Sequence, residues 1–239
     1  MNYKIFPDKN DAAIQLAEEI YDLVSNSNKE KITIAISGGT TPFILFDIWA
    51  TQFAHKMDWH KLHFFWVDER CVPHTSDESN FGNTNKVLFE KVDIPLHNIY
   101  RVRGEDEPEY EAKRYAFEIE KHVKVVNGLP KFDIILLGMG DDGHTASIFP
   151  PQIHLLQSEQ IVSLTQNPYN QQYRITLTGR VINNAARIYF LVTGKSKAEV
   201  VKHIFAKDSG YLNYPASHIN PTHGELVWYF DEEAASSLQ

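Results

Sequence analysis

The sequence predicts an α/β fold, a single-domain chain over residues 1–239 with a mostly parallel, Rossmann-like sheet flanked by helices. Three observations carry this. Short runs rich in β-branched and aromatic residues alternate with stretches of helical periodicity, as in strand–crossover–strand units. One run, FDIILL at Phe132–Leu137, is almost wholly apolar, as a parallel strand buried on both faces must be. And the composition, 43% hydrophobic and 23% charged, suits a packed core and not a disordered chain.

The elements follow in order. Asp11 to Val24 sets Ile14, Ala17, Ile20, Tyr21 and Val24 at helical spacing. Ile32–Ile36 (ITIAI) is the first expected strand, ended by Ser37-Gly38-Gly39. Pro42 suits a first helical turn, and Phe43–Ala50 continues it. His63–Val67 (HFFWV) is a strand with Asp68-Glu69-Arg70 as the loop after it, and Glu107–Val126 is a long charged helix. Phe132–Leu137 is broken by Gly138-Met139-Gly140. Arg174–Leu177 and Arg187–Thr193 are strands, Lys195–Ala206 a helix and Leu226–Phe230 the last strand. No repeat, low-complexity segment or linker interrupts the series.

The chain carries 23 Lys and Arg against 31 Asp and Glu, a formal charge of −8. That argues against nucleic acid or an anionic membrane as partner, both of which favour a basic surface. A single cysteine, Cys71, excludes an internal disulfide and a cysteine-rich zinc site. No apolar stretch approaches the roughly 18 residues of a membrane span, and the N-terminus lacks the apolar core of a signal peptide. The expectation is a cytoplasmic protein, a monomer or at most a dimer.

In parallel sheets ligands sit beyond the carboxyl ends of the strands. The loops after ITIAI, HFFWV, FDIILL and RIYFLVT should therefore share one rim. The first, Ser37-Gly38-Gly39-Thr40-Thr41-Pro42, combines glycines, hydroxyls and a helix N-terminus, chemistry suited to phosphate, although a tight turn that binds nothing has the same composition. It is neither a Walker loop nor a dinucleotide fingerprint. Asp68-Glu69-Arg70 offers charge that either orients a polar substrate or forms surface ion pairs. The stretch Gly138 to Ser147 (GMGDDGHTAS) is the most informative. Asp142 and His144 stand two apart in a glycine-rich loop, so an imidazole can take a proton from water while a carboxylate orients it. A metal site is less well supported, since no second histidine stands at ligand spacing. Lys197, in the turn Gly194-Lys195-Ser196-Lys197, and Arg174 are candidate anion contacts. His55, His60, His63 and His154 read as scattered surface or core residues. Cys71 has no paired base, and Ser37 lies in no G-x-S-x-G elbow.

Taken together, Ser37–Pro42, Asp68–Arg70 and Gly138–Pro150 (GMGDDGHTASIFP) resemble the 6-phosphogluconolactonases, which share fold and ancestry with the glucosamine-6-phosphate deaminases. The similarity runs nearly the whole chain and takes in RITLT, Asn183-Asn184-Ala185, Gly194–Ala198, Pro215-Ala216 and the terminal WYFDEEAA. The deaminases read D-G-H-I-A-F-N-E-P where this chain has Asp142–Pro150, and D-E-Y where it has Asp68–Arg70. No acid closely follows His144 here. One departure is Pro151, where the lactonases usually have glycine.

The resemblance implies a fold of the glucosamine-6-phosphate deaminase/ribose-5-phosphate isomerase/CoA-transferase-like type. It also implies hydrolysis of 6-phospho-D-glucono-1,5-lactone, the second step of the oxidative pentose phosphate route, with no cofactor or metal. On that reading His144 is the base, Asp142 orients it or binds a ring hydroxyl, and Arg70 or glycine-loop N–H groups meet the carbonyl oxygen. Asp68 is a further member of the catalytic set. Ser37, Gly38, Gly39, Thr40, Thr41, Arg174 and Lys197 hold the sugar phosphate. Two alternatives stand beside it, the sister deaminase and a non-catalytic sugar-phosphate sensor. Sensors of that kind usually carry an appended DNA-binding domain, for which a first strand near residue 32 leaves no room.

Overall fold

The computed structural model describes residues 1–238. It holds eleven strands: β1 (Asn2–Phe6), β2 (Ile32–Ile36), β3 (Leu62–Trp66), β4 (Asp68–Arg70), β5 (Val125–Val126), β6 (Leu129–Pro130), β7 (Ile134–Leu137), β8 (Val162–Gln166), β9 (Tyr173–Leu177), β10 (Arg187–Val192) and β11 (Glu225–Asp231). The α-helices are α1 (Lys9–Ser25), α2 (Thr40–Gln52), α3 (Asn80–Val87), α4 (Pro108–His122), α5 (Gly179–Asn183), α6 (Ala198–Ala206) and α7 (Glu232–Ala235).

Six strands form the central sheet in the order β1-β11-β10-β7-β2-β3, every neighbouring pair parallel. All residues of β2 and β7 are buried, because helices cover both faces of a parallel sheet. Ala13, Leu16, Ala17, Ile20 and Val24 put the apolar stripe of α1 into the core. The Asp8 carboxylate starts that helix by accepting the N–H groups of Asn10 and Asp11 at 2.7 and 3.0 Å.

Three features depart from the sequence expectation. The first strand lies at Asn2–Phe6, not near residue 32. It carries no apolar alternation because four of its five residues are exposed; it is an edge strand held by pairing with β11. The helix expected over Glu107–Val126 ends at His122, and Asn127-Gly128, both at positive φ, turns a two-residue hairpin from β5 into β6. Asp68–Arg70 is a strand and not a loop. It pairs antiparallel with β9, and β8 completes a second, three-stranded sheet, β4-β9-β8. Pro150 and Pro151 open a 3₁₀ helix running to Leu156, where their fixed φ suits a first turn.

Candidate active site

The expected rim exists. A cavity of about 420 Å³ opens at the carboxyl ends of the central strands, lined by residues from all four loops and from both sheets. Ser37, Gly38, Gly39, Thr40, Thr41, Asp68, Arg70, His144, Arg174 and Lys197 all line it. Asp142 does not. It stands behind His144.

The first loop forms one wall of the cavity. Gly39 has φ +112°, a conformation that L side chains rarely adopt, and it starts α2 with no side-chain cap. The first-turn N–H groups of that helix therefore donate no hydrogen bond to a capping side chain. Ser37 Oγ is tied to the Leu136 carbonyl at 2.9 Å, and Thr41 Oγ1 to Thr193 Oγ1 at 3.1 Å, which joins this loop to β7 and β10. A side chain on Gly38 would fall 1.9 Å from Asn80 Oδ1, so the backbone there lies directly on the Asn80 amide.

The second sheet supplies the positive charge. In the β4–β9 ladder Arg70 stands directly opposite Arg174. Like charges at such positions repel. Asp68 relieves part of this, with Oδ2 at 4.0 Å from Arg174 Nη1, and Arg70 Nη1 donates to the Glu78 carbonyl at 2.5 Å. Arg174 is 9% exposed, its Nε has no partner among the described residues, and burial lowers its pKa below the ordinary guanidinium value. An anion entering here relieves both the repulsion and the desolvation. This is how a chain of net charge −8 builds a locally positive site.

Lys197 lies in a 3₁₀ turn after Gly194, with α6 following, so the helix expected over Lys195–Ala206 has two parts. Its Nζ meets Asp141 Oδ1 at 2.5 Å, and Ser196 Oγ donates to the same oxygen at 2.9 Å. The Lys197 hydrogen bond holds the Asp141 carboxyl below its usual range, against the opposing effect of burial.

In the third loop Asp142 Oδ1 meets His144 Nδ1 at 2.5 Å and accepts the His144 N–H at 3.1 Å. Accepting from Nδ1–H leaves the neutral imidazole with its lone pair on Nε2. Burial on its own would raise the Asp142 carboxyl. The hydrogen bond and charge of His144, together with the Tyr169 hydroxyl, outweigh it and hold the group well below the carboxylate range. The His144 ring packs on Phe149 with centroids 4.6 Å apart. Gly143 (φ +75°) and Ala146 (φ +51°) bend the loop around this pair.

Sequence reasoning missed three neighbours of the cavity. Asn80 lines it from α3, and its Nδ2 donates to the Asp68 carbonyl at 2.9 Å. Ser147, fully buried, donates to Asp68 Oδ2 at 2.6 Å. Asp141 was in view in the glycine loop, but only the fold brings it to Lys197. Glu69, by contrast, faces away from the ligand space. Its buried carboxylate accepts the N–H groups of Arg70, Asn80 and Phe81 at 2.7, 2.8 and 2.7 Å and the Ser79 hydroxyl at 3.2 Å. Burial raises its pKa, and those backbone donors oppose the rise. Among the described residues no group of three or more His, Cys, Asp and Glu is gathered as a metal ion would need, and no helix is long and apolar enough to cross a membrane.

A parallel α/β scaffold with a carboxylate-oriented histidine beside an arginine- and lysine-lined anion cradle defines an enzyme of the sugar-phosphate class. The comparisons are specific. A family model described as glucosamine-6-phosphate isomerases/6-phosphogluconolactonase matches residues 7–228, and the chain belongs to that family. A 6-phosphogluconolactonase of Haemophilus influenzae is 41% identical over 239 residues, all of both chains. The crystal structure of a protein called devB superposes with a TM-score of 0.95 at 40% identity, covering 100% of this chain and 99% of that one. The 6-phosphogluconolactonase of Thermotoga maritima does so with a TM-score of 0.83 at 30% identity, covering 96% and 99%.

Proposed function

We propose that this protein hydrolyses 6-phospho-D-glucono-1,5-lactone to 6-phosphogluconate, the second step of the oxidative pentose phosphate route. The observation that carries the reading is the Asp142–His144 pair at 2.5 Å, with its imidazole lining the same cavity as Arg70, Arg174 and Lys197. The phosphate is gripped by the Ser37–Thr41 cradle, Arg174 and Lys197, a hold remote from the reacting carbon that fixes the carbonyl against the base. His144 Nε2 takes a proton from water as its oxygen attacks the lactone carbonyl. Asp142 keeps the ring in register and stabilises the imidazolium. Its position behind His144 favours this over a contact with a ring hydroxyl.

Charge then grows on the carbonyl oxygen, where Arg70 and the glycine-loop N–H groups are the available donors. The C1–ring oxygen bond breaks, and the imidazolium returns its proton to the leaving alkoxide. Asp68, tied to Ser147 and facing Arg174, braces the two loops. The free Cys71 thiol suits a reducing cytoplasm.

The test is a coupled lactonase assay with spontaneous hydrolysis subtracted. His144→Ala should depress kcat by about a hundredfold or more while KM moves little. A near-normal kcat in that variant would sink the base assignment. Ammonia release from glucosamine 6-phosphate by the wild type would give the reaction to the sister deaminase, and ligand binding without turnover would make the protein a sensor.

A further inference from the structure

Tyr169 is among the most exposed large side chains of the molecule, at 71%. It sits in the turn joining β8 to β9, 27 residues beyond the carboxylate that it touches: its hydroxyl donates to Asp142 Oδ2 at 2.6 Å. Exposed aromatic residues at loop tips ordinarily float in solvent. This one does not, because the turn beneath it is pinned. Asn167 Oδ1 accepts the Tyr169 N–H at 2.8 Å, the Asn167 carbonyl accepts the Gln171 N–H at 2.9 Å, and the Gln172 carbonyl accepts the Asn167 N–H at 2.9 Å. Gln166 Nε2 adds a bond to the Gln171 carbonyl at 2.8 Å, and Gln172 Nε2 reaches Glu78 at 3.2 Å, beside the segment that holds Arg70. The turn is thus anchored on the arginine side while Tyr169 reaches the histidine loop.

The effect on Asp142 is definite. Oδ1 is occupied by His144, through the ring and the backbone N–H. Without Tyr169, Oδ2 has no protein donor among the described residues, and the carboxylate is free to rotate and offer either oxygen to the imidazole. The phenol fills that second position and locks the torsion. It also spreads the carboxylate charge without neutralising it.

From this geometry we infer that Tyr169 is a positioning residue for lactone hydrolysis, acting through Asp142 to hold the His144 imidazole. The inference rests on the proposed lactonase reading. It predicts that Tyr169→Phe, a change at an exposed site that removes one oxygen, lowers kcat by about three- to tenfold, the range of a single lost hydrogen bond, with KM unchanged within about twofold. In an Asp142→Ala background the same change should cost nothing further, because the group through which Tyr169 acts is gone.

A Tyr169→Phe enzyme with wild-type kcat overturns the inference. So does a change in KM alone, which would make the tyrosine a substrate contact. An equal loss of kcat in both backgrounds overturns the route through Asp142. These outcomes are separate from failure of the functional reading, which would appear as a wild-type enzyme without lactonase activity or a His144→Ala variant that retains it.

Discussion

His144 Nδ1 occupies the space that a side chain on Gly140 would need: a methyl group there would fall 2.1 Å from it, and 2.8 Å from Asp142 Oδ1. The glycine is thus part of the histidine's seat. Gly140→Ala should push the imidazole off its carboxylate and lower kcat by about a hundredfold, the scale of an ångström's misplacement. Circular dichroism should show the fold intact, which separates this effect from unfolding.

Glu69 invites a catalytic reading from its neighbours, yet its work is architectural. Removing its carboxylate strands two N–H groups and the Ser79 hydroxyl at the start of α3, and the N–H of Arg70 in β4. Glu69→Ala should destabilise the protein by about 3 kcal/mol, measured by urea unfolding. If stability stayed within about 0.5 kcal/mol of wild type, the carboxylate would not be holding the helix start.

Lys197 Nζ is paired with Asp141 Oδ1, so a phosphate that engages this lysine competes with a carboxylate for it. Lys197→Ala should raise KM about tenfold with a smaller change in kcat. Asp141→Asn should lower KM a few-fold, on the order of a partly exposed ion pair. A rise in KM for Asp141→Asn would mean that the aspartate orders the lysine and does not compete for it.

His63 should set a measurable part of the acid stability. Burial, the charge of Lys31, and then His122 and His97 lower its pKa to about 4, and its Nδ1 lies 3.1 Å from the Tyr100 hydroxyl. A histidine with a depressed folded pKa binds fewer protons in the folded than in the unfolded state between pH 4 and 6.5. Its contribution is therefore complete above the unfolded value, near 6.5, and is lost as pH falls toward 4. Urea unfolding of wild type and His63→Gln across this window should show the shallower pH dependence in the variant. Identical slopes would contradict the assignment.

What the amino-acid sequence reveals of the fold and the site depends on where the information lies. The buried strands ITIAI and FDIILL announce themselves because two-sided burial demands continuous apolar runs. The glycine loops are legible because positive φ and close approach leave few residue choices. β1 was invisible: its exposed residues carry no periodicity, and only the partner strand β11 makes it a strand. Asp68–Arg70 read as a loop because three polar residues carry no strand signal of their own; the ladder to β9 supplies it. Asn127-Gly128 is a readable hairpin signal just past the end of an expected helix, whose last two residues, Val125–Val126, are the hairpin's first strand. Asn80 and Tyr169 carry no local mark, since each gains meaning from a loop far away in sequence.

The meeting of Arg70 and Arg174 has a consequence for how the protein comes to life. The cradle and the histidine belong to loops of the central sheet, whereas the facing arginines belong to the small one. Neither sheet holds a working site alone. During refolding, turnover should therefore return only once both sheets have formed.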